Sequence, residues 1–159
     1  MVPSVRHPPE GREDIMEYND KVIAHFLDPH NVGFIEDASG VGQLGDPDCG
    51  DLFLMFIKVE NERLTDVKYL VRGCGAAIAT CSALSDIARN KTIEEAMKLT
   101  DDDIAEELGG LPVEKLHCSN LAATALHRAI EDYRSRRGNN LRDWRSLYSK
   151  AQGGERESP

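Results

Sequence analysis

Three of the four cysteines in the sequence stand beside residues that bend the backbone or begin a helix. Cys49 lies in the turn-forming stretch GDPDCGD (residues 45–51), Cys74 lies between two glycines, and Cys118 stands near the start of the last predicted helix. Glycine beside a thiol lets the main chain approach a ligand closely and leaves the sulfur exposed. One cysteine alone is most often a small buried apolar residue. Three in such settings indicate a binding site for a soft inorganic centre.

Asp51 and His117 extend this candidate site beyond cysteine. Thiolates suit zinc and iron–sulfur clusters, whereas carboxylates suit harder cations, so Asp51 should be the weaker ligand beside Cys49, Cys74 and Cys118. A weak ligand indicates that the bound centre can be released. Alternatively, Asp51 is a turn residue whose carboxylate caps backbone amides. His117 and Cys118 are adjacent and point about 100° apart on a helix, so both can bind one ion only where the backbone is irregular.

The fourth cysteine, Cys81, is predicted to be structural. If Cys74 and Cys81 lie on one helix, they are about 10 Å apart along its axis. One ion with sulfur bonds of about 2.3 Å cannot reach both. We also predict no ligand role for the remaining four histidines, which have no such neighbours in the sequence: His7, His25, His30 and His127.

Composition narrows the class of protein. With 159 residues, 40% of them hydrophobic, the chain fits one domain with tails. The formal charge of −9 repels phosphate backbones and anionic lipid, which argues against nucleic acid and membrane surfaces as partners. No apolar run approaches the roughly 20 residues of a membrane helix, and the N-terminus lacks the apolar core of a signal peptide. We therefore expect a cytoplasmic protein with reduced cysteines rather than disulfides.

The order of predicted elements indicates an α+β fold, a small antiparallel sheet with helices packed on it. We predict a flexible tail over residues 1–13, one domain over 14–138 and an extension of unknown role over 139–159. Within the domain, an amphipathic helix ends at Asp28-Pro29, because the residue before proline avoids helical backbone angles. The glycine-rich segment 30–50 is predicted to be loop or short irregular strand.

Two strands, DLFLMFIKVE and LTDVKYLVRG, flank the polar turn 61–63 and predict a β-hairpin. A helix should begin just after Gly75, where the composition becomes rich in alanine. The pairs Thr92 with Glu95 and Thr100 with Asp103 predict capping boxes for two short helices. A long helix should follow over residues 116–137, with Gly138 as its C-cap.

Five stretches, in this order along the chain, carry a resemblance to a known family. They are YNDKVIAHFLDPHNVG (18–33), GDPDCGD (45–51), GCGAAIAT (73–80), LPVEKLHCS (111–119) and IEDYRSR (130–136). Their combination resembles the IscU/NifU-type iron–sulfur cluster assembly scaffolds, and it implies an IscU/NifU N-terminal-like fold. The resemblance also implies a scaffold on which a cysteine desulfurase deposits sulfur, iron is added, and a [2Fe–2S] cluster is built transiently and passed to apo-proteins. It implies no enzymatic turnover.

The resemblance assigns roles to particular residues. Cys49, Asp51, Cys74, His117 and Cys118 match the family's site residues, and Lys115 matches the lysine that precedes them. We expect Cys118 to accept the persulfide sulfur, because a nearby helix N-terminus, Lys115 and a protonated His117 should lower the pKa of its thiol. Asp51, and His117 in some states, would complete the site and keep it labile. Zinc could occupy the site in the isolated protein.

Two features depart from the family pattern. The stretch LPVEK has Val113 and Glu114 where the family's chaperone-recognition segment often reads LPPVK, which argues against an Hsp70-type chaperone as partner. The chain also continues about twenty residues past the family's usual end.

The segment between Cys74 and Cys118 lacks the insertion of the zinc-dependent SufU type, so the sequence disfavours that subfamily. A homodimer is the expected state when a cluster is bound.

Two other readings use the same residues. One is a zinc-binding structural or sulfur-relay protein whose ligands hold a closed tetrahedral ion. The other is a cysteine hydrolase, which the sequence disfavours because His117 adjoins Cys118 and cannot easily orient as its base.

Overall fold

The computed structural model describes residues 18–46 and 51–135 of the chain. Over these residues it contains five α-helices, three β-strands and one short 3₁₀ turn, Val113–Lys115. The elements in chain order are α1 (Asp20–Leu27), β1 (Gly40–Asp46), β2 (Asp51–Glu60), β3 (Arg63–Arg72), α2 (Gly75–Ala88), α3 (Ile93–Met97), α4 (Asp101–Glu107) and α5 (Leu116–Ser135). This arrangement confirms the α+β prediction.

The strands form one antiparallel sheet in the order β1-β2-β3. The central strand β2 is apolar on both faces because both faces are covered. Its side chains Phe53, Met55 and Ile57 pack into the main core. Leu52 and the next two residues on the same face of β2 belong to a smaller cluster on the opposite side of the sheet. Side chains from the segment before β1 and from the start of β1 pack against this cluster.

The helices cover one face of the sheet and complete the main core. Alanines dominate the contact surfaces of α2 and α5, among them Ala79 and Ala83 on α2 and Ala122 and Ala129 on α5, all nearly or fully buried. Small side chains let two helices and a sheet approach closely. The result is a tightly packed layer of two helices on a sheet.

The glycine-rich segment contains a regular strand, which the prediction of a loop or short irregular strand understated. Gly40 and Gly42 lie on β1 where α5 passes over it, and a Cβ added at either would come within 2.2 Å of an α5 carbonyl oxygen. The free edge of β1 is covered by α5 side chains: Val41 N–H donates to Asp132 (3.0 Å) and Arg128 donates to the Gln43 carbonyl (2.9 Å). Glycine at these two positions therefore lets α5 pack closely on β1.

The predicted turns and caps are confirmed where they lie within the described residues. The hairpin turn uses Asn61 and Glu62, both with positive φ (54° and 62°). Both capping boxes form, at Thr92 with Glu95 and at Thr100 with Asp103. Helix α1 ends with Asp28 as its C-cap.

Several expectations fall on residues outside the described part of the chain. These are the tail 1–13, the cap at Gly138 and the extension 139–159. Within the described residues, α1 begins at Asp20 with Asn19 as its N-cap. Among the described helices, none combines the length and apolar character that crossing a membrane requires.

Candidate functional site

Cys74 and Cys118 come together although they lie far apart in the sequence. Cys74 follows β3 and is the N-cap residue of α2, and Cys118 lies in the first turn of α5. Their sulfur atoms are 3.9 Å apart. Cys74 is exposed and Cys118 is buried at 2% exposure, so the pair runs from the surface into the core.

Lys115 and His117 flank the two sulfurs. Lys115 ends the 3₁₀ turn and its Nζ lies 3.9 Å from Cys74 Sγ. His117 Nε2 lies 3.7 Å from Cys118 Sγ. The donor atoms of His117 and Cys118 therefore come together although both residues lie in the first turn of α5. The irregular backbone that their adjacency predicted is not needed.

The spacing of the donor atoms suits a tetrahedral metal. Two sulfurs bound to one ion at about 2.3 Å lie roughly 3.8 Å apart, and a sulfur and an imidazole nitrogen lie roughly 3.6 Å apart. The observed separations are 3.9 Å for Cys74 to Cys118 and 3.7 Å for Cys118 to His117. Each pair is spaced as two ligands of one ion would be.

The thiol of Cys74 has a pKa lowered to about 5. The largest cause is the hydrogen bond from Cys118, which stabilises the thiolate; the backbone amides of Ala77 and Ala76 in the first turn of α2, and the charge of Lys115, act in the same direction. A thiolate at a helix N-terminus is favoured by the helix dipole as well. Cys74 is therefore the nucleophilic sulfur of the pair.

The thiol of Cys118 has a raised pKa, because it donates a hydrogen bond to the Cys74 thiolate and because it is buried. The expectation that Cys118 has the lowered pKa is wrong for the metal-free pair. Lys115 does act on Cys118 in the predicted direction, but the neighbouring thiolate outweighs it. The sequence does not contain the contact between the two sulfurs that decides the sign.

A cavity of about 220 Å³ opens at this pair. Its walls carry the polar groups Cys74, Cys118, Lys115 and His117, and its remaining lining is apolar: Phe53, Ala77 and Leu121. A space of this size holds several water molecules or a small inorganic group. The cavity therefore offers sulfur and nitrogen donors, one lysine ammonium group and room for a small inorganic group.

The last two predicted ligands are only partly accounted for. Cys49 lies outside the described residues, and Asp51 is described only as the first residue of β2. In the sheet register Asp51 pairs with Asp46, and the next residue, Leu52, pairs with Arg72 at the end of β3. The backbone of Asp51 thus lies at the same end of the sheet as the chain leading into Cys74.

Cys81 is fully buried in α2, and burial raises the pKa of its thiol, which agrees with the predicted structural role. His25 and His30, for which the sequence predicts no ligand role, have a ligating neighbour in the fold. Their ring nitrogens and a carboxylate oxygen of Asp86 all lie within 4.8 Å of one another. This pairing depends on how α1 packs on α2, so no local pattern in the sequence predicts it.

Comparisons with known proteins match nearly the whole described part of the chain. The family model for the NifU-like N terminal domain matches residues 17–140. The chain is 58% identical over 121 residues to the iron-sulfur cluster assembly scaffold protein IscU 1 of Archaeoglobus fulgidus, covering 76% of this chain and 79% of that protein. It is 53% identical over 124 residues to the scaffold protein IscU of Aquifex aeolicus, covering 77% and 79%. A solved crystal structure of a hypothetical protein, 27% identical, superposes with a TM-score of 0.60 over 70% of this chain and 94% of the other.

Proposed function

The chain belongs to the IscU/NifU family of iron–sulfur cluster assembly scaffolds, and we propose that it builds [2Fe–2S] clusters transiently from iron and desulfurase-derived sulfur. The finished cluster passes to apo-proteins, and the protein carries out no turnover of its own. The cluster is cargo rather than a resident cofactor.

One observation carries the proposal: Cys74 and Cys118, which line a cavity, hold their sulfurs 3.9 Å apart. Iron in such clusters is bound by cysteine thiolates. One of the two thiols already has a lowered pKa, so only one proton has to leave before both sulfurs bind iron. Lys115 offsets part of the negative charge that two thiolates and sulfide bring together.

Cys49 and Asp51 complete the ligand set in this proposal, with His117 as a ligand in some states. Cys49 stands two residues before Asp51, so covalent geometry keeps the two Cα atoms within about 7 Å of each other. Asp51 begins β2 at the sheet end that leads into Cys74. A hard carboxylate oxygen binds iron less firmly than a thiolate and so keeps the cluster labile.

Sulfur arrives as a persulfide on the desulfurase. A thiolate of the scaffold attacks the terminal sulfur, a new S–S bond forms on the scaffold, and the desulfurase cysteine leaves as a thiolate. We propose Cys118 as the acceptor that keeps this sulfur: its proton passes to the Cys74 thiolate 3.9 Å away, and Lys115 offsets the charge that Cys118 then carries. The exposed Cys74 thiolate is the competing acceptor, since the two sulfurs are close enough to exchange one proton.

The partners in this proposal are a cysteine desulfurase and apo iron–sulfur proteins, and a second copy of the chain shares the cluster in the loaded state. An Hsp70-type chaperone stays outside the proposal because Val113 and Glu114 change the LPPVK pattern. Val113 is 81% exposed, so this segment does lie on the surface where a partner could meet it.

Anaerobic reconstitution tests the proposal. The protein is incubated with iron(II), cysteine, a desulfurase and a thiol reductant, and the visible absorption of the cluster is followed. We expect Cys74→Ser and Cys118→Ser to abolish the signal, and Asp51→Ala to make the bound cluster more persistent. The matched control is Cys81→Ala, which removes a cysteine from α2 outside the site.

Intact-mass and peptide mass spectrometry after incubation with the desulfurase alone locates the added sulfur. Retention on Cys118 in the wild type supports its role as acceptor, and retention on Cys74 transfers that role to Cys74. A cluster signal that survives both serine substitutions would overturn the scaffold assignment for this site.

The donor spacing favours a second candidate function as well, a closed zinc site in a structural or sulfur-relay protein. Zinc bound to the purified protein decides nothing, because either function allows it. The discriminating measurement is exchange: zinc-loaded protein is given iron, sulfur donor and reductant. Cluster formation with loss of zinc supports the scaffold, whereas retained zinc with no cluster supports the closed site.

A further inference from the structure

A second group of metal-ligating side chains lies where α1 and the turn after it pack on α2. His25 is on α1, His30 follows Pro29, and Asp86 is near the end of α2. One donor atom from each residue lies within 4.8 Å of the other two, and the imidazole ring centroids are 4.8 Å apart. Asp86 is about 18 Å beyond Cys74 along the helix axis, so this group is separate from the cysteine site.

Buried Ser82 positions both histidines. Its hydroxyl oxygen lies 2.6 Å from His25 Nδ1 and accepts a hydrogen bond of 2.9 Å from the backbone N–H of His30. Ser82 is 0% exposed, so this anchor belongs to the packed interior of α2. When His25 Nδ1–H donates to Ser82, the lone pair of the ring lies on Nε2. This is the arrangement by which metal-binding histidines are usually oriented.

The carboxylate of Asp86 is positioned in the same way. One oxygen lies 2.7 Å from His30 Nδ1, and the other accepts a hydrogen bond of 3.1 Å from the Asn31 amide. Asn31 is itself held by Ser85 at 2.8 Å and by Arg89 at 3.1 Å. Three ligating residues thus have their supporting contacts in place.

A cation fits after small side-chain movements. Ligands at about 2.1 Å from a shared ion lie roughly 3.0–3.4 Å apart, so the 2.7 Å contact must open slightly and the longest separation must close. His30 and Asp86 have room to rotate because their side chains are 50% and 35% exposed. Solvent access leaves further coordination positions for water.

We propose that His25, His30 and Asp86 form a binding site for a divalent transition-metal ion such as Zn²⁺ or Fe²⁺. Two imidazoles with one carboxylate are a ligand set that such ions favour over Mg²⁺ or Ca²⁺. Burial and the neighbouring His30 lower the pKa of His25, which favours the neutral ring that binds metal. Asp86 and Glu107 raise this pKa and Lys21 lowers it, and the net direction is downward.

The test uses the full chain with Cys49, Cys74 and Cys118 replaced by serine, so that the cysteine site cannot bind the probe. Zn²⁺ binding is measured by equilibrium dialysis, and the histidine ring signals are followed by NMR. We expect one bound Zn²⁺, with shifts of the His25 and His30 ring nitrogens. His30→Gln and Asp86→Asn should each raise the dissociation constant for Zn²⁺ roughly tenfold or more.

Two matched substitutions control for the loss of a histidine and of a carboxylate. His7→Gln and Asp102→Asn should leave Zn²⁺ binding unchanged; Asp102 is an exposed residue of α4. The proposal is overturned if the chain with the three serine substitutions binds no Zn²⁺, or if His30→Gln and Asp86→Asn bind it as tightly as their parent. Either result would leave the three side chains as a hydrogen-bonded contact between α1 and α2. Because the test chain lacks Cys49, Cys74 and Cys118, its outcome is independent of cluster assembly.

Discussion

At the scale of single residues, Cys74 and Cys118 act as a pair that holds one proton. The Cys74 thiolate accepts the hydrogen bond of Cys118, which lowers the pKa of the first thiol and raises that of the second. The pair therefore carries one negative charge at neutral pH. The charge lies on the exposed sulfur, which a reagent in solution can reach directly.

Alkylation of the metal-free protein tests this arrangement. The rate of iodoacetamide reaction at Cys74 should be nearly constant above about pH 6 and fall below about pH 5, because the thiolate reacts and its pKa is about 5. An ordinary thiol would instead lose rate below about pH 8.5. Peptide mass spectrometry assigns the modified cysteine at each pH.

Cys118→Ala provides the comparison for this prediction. Losing the hydrogen-bond donor removes the largest cause of the lowered pKa, so the pKa of Cys74 should rise and its alkylation rate at pH 6 should fall. Cys81→Ala should leave the profile of Cys74 unchanged. A profile of Cys74 that already rises steeply through pH 8 in the wild type would contradict the shared proton.

Residue types and spacing were enough to predict that Cys74, His117 and Cys118 come together, but not their charge states. Glycines around Cys74 and the pair His117-Cys118 identify a soft site in the sequence. The sign of each pKa shift depends on a contact between α2 and α5 that only the folded chain provides. The group of His25, His30 and Asp86 was missed for the same reason, because the whole sheet separates Asp86 from the two histidines in the sequence.

At the scale of elements, the contact between β1 and α5 positions the helix that carries Cys118. Gly42 lies under α5, and an added Cβ would come within 2.2 Å of the Ala125 carbonyl oxygen and 2.5 Å of the Ala129 nitrogen. Neither backbone atom can move without shifting the helix.

Gly42→Ala should therefore lower the free energy of unfolding by about 1–3 kcal/mol, the usual cost of overpacking. Urea denaturation measures the change. Gly75→Ala is the comparison, because its added Cβ would meet the ring of Phe26 at 3.2 Å, a side chain that can move. The argument fails if Gly42→Ala is no more destabilising than Gly75→Ala.

The capping box of α3 gives a second prediction at this scale. Thr92 Oγ1 accepts a hydrogen bond of 3.1 Å from the Glu95 amide, and the Glu95 carboxylate accepts one of 3.0 Å from the Thr92 amide. Thr92→Ala should lower the free energy of unfolding by about 1 kcal/mol, whereas Thr92→Ser keeps the acceptor and should cost less. Thermal denaturation of the two variants provides the check, and equal melting temperatures would rule out the cap as the cause.

Local signals in the sequence predicted most elements, since caps and turns depend on neighbouring residues. Thr92, Thr100 and the turn at Asn61 are of this kind. Strand β1 was understated because Gly40 and Gly42 have low strand propensity. Their place in the sheet depends on residues of α5 that lie more than eighty positions later in the chain.

At the scale of the whole molecule, Cys74 and Cys118 link two helices that pack in one core. A metal that binds both stabilises the folded chain over the unfolded one, by about 2.7 kcal/mol when its concentration is one hundred times the dissociation constant. Adding Zn²⁺ should therefore raise the melting temperature of the wild type. The rise should be smaller in Cys118→Ser and of wild-type size in Cys81→Ala, as measured by scanning calorimetry. An equal rise in all three proteins would place the stabilising metal elsewhere.

Both described cysteines of the site stand at helix starts, one before α2 and one in the first turn of α5. Terminal turns open at a lower free energy than helix centres, where Leu84 and Leu126 are fully buried. In the proposed function, fraying of one turn would then be sufficient to release a bound cluster while the rest of the domain stays folded. Hydrogen exchange tests this, and the amides of these two turns should exchange faster than those of the helix middles.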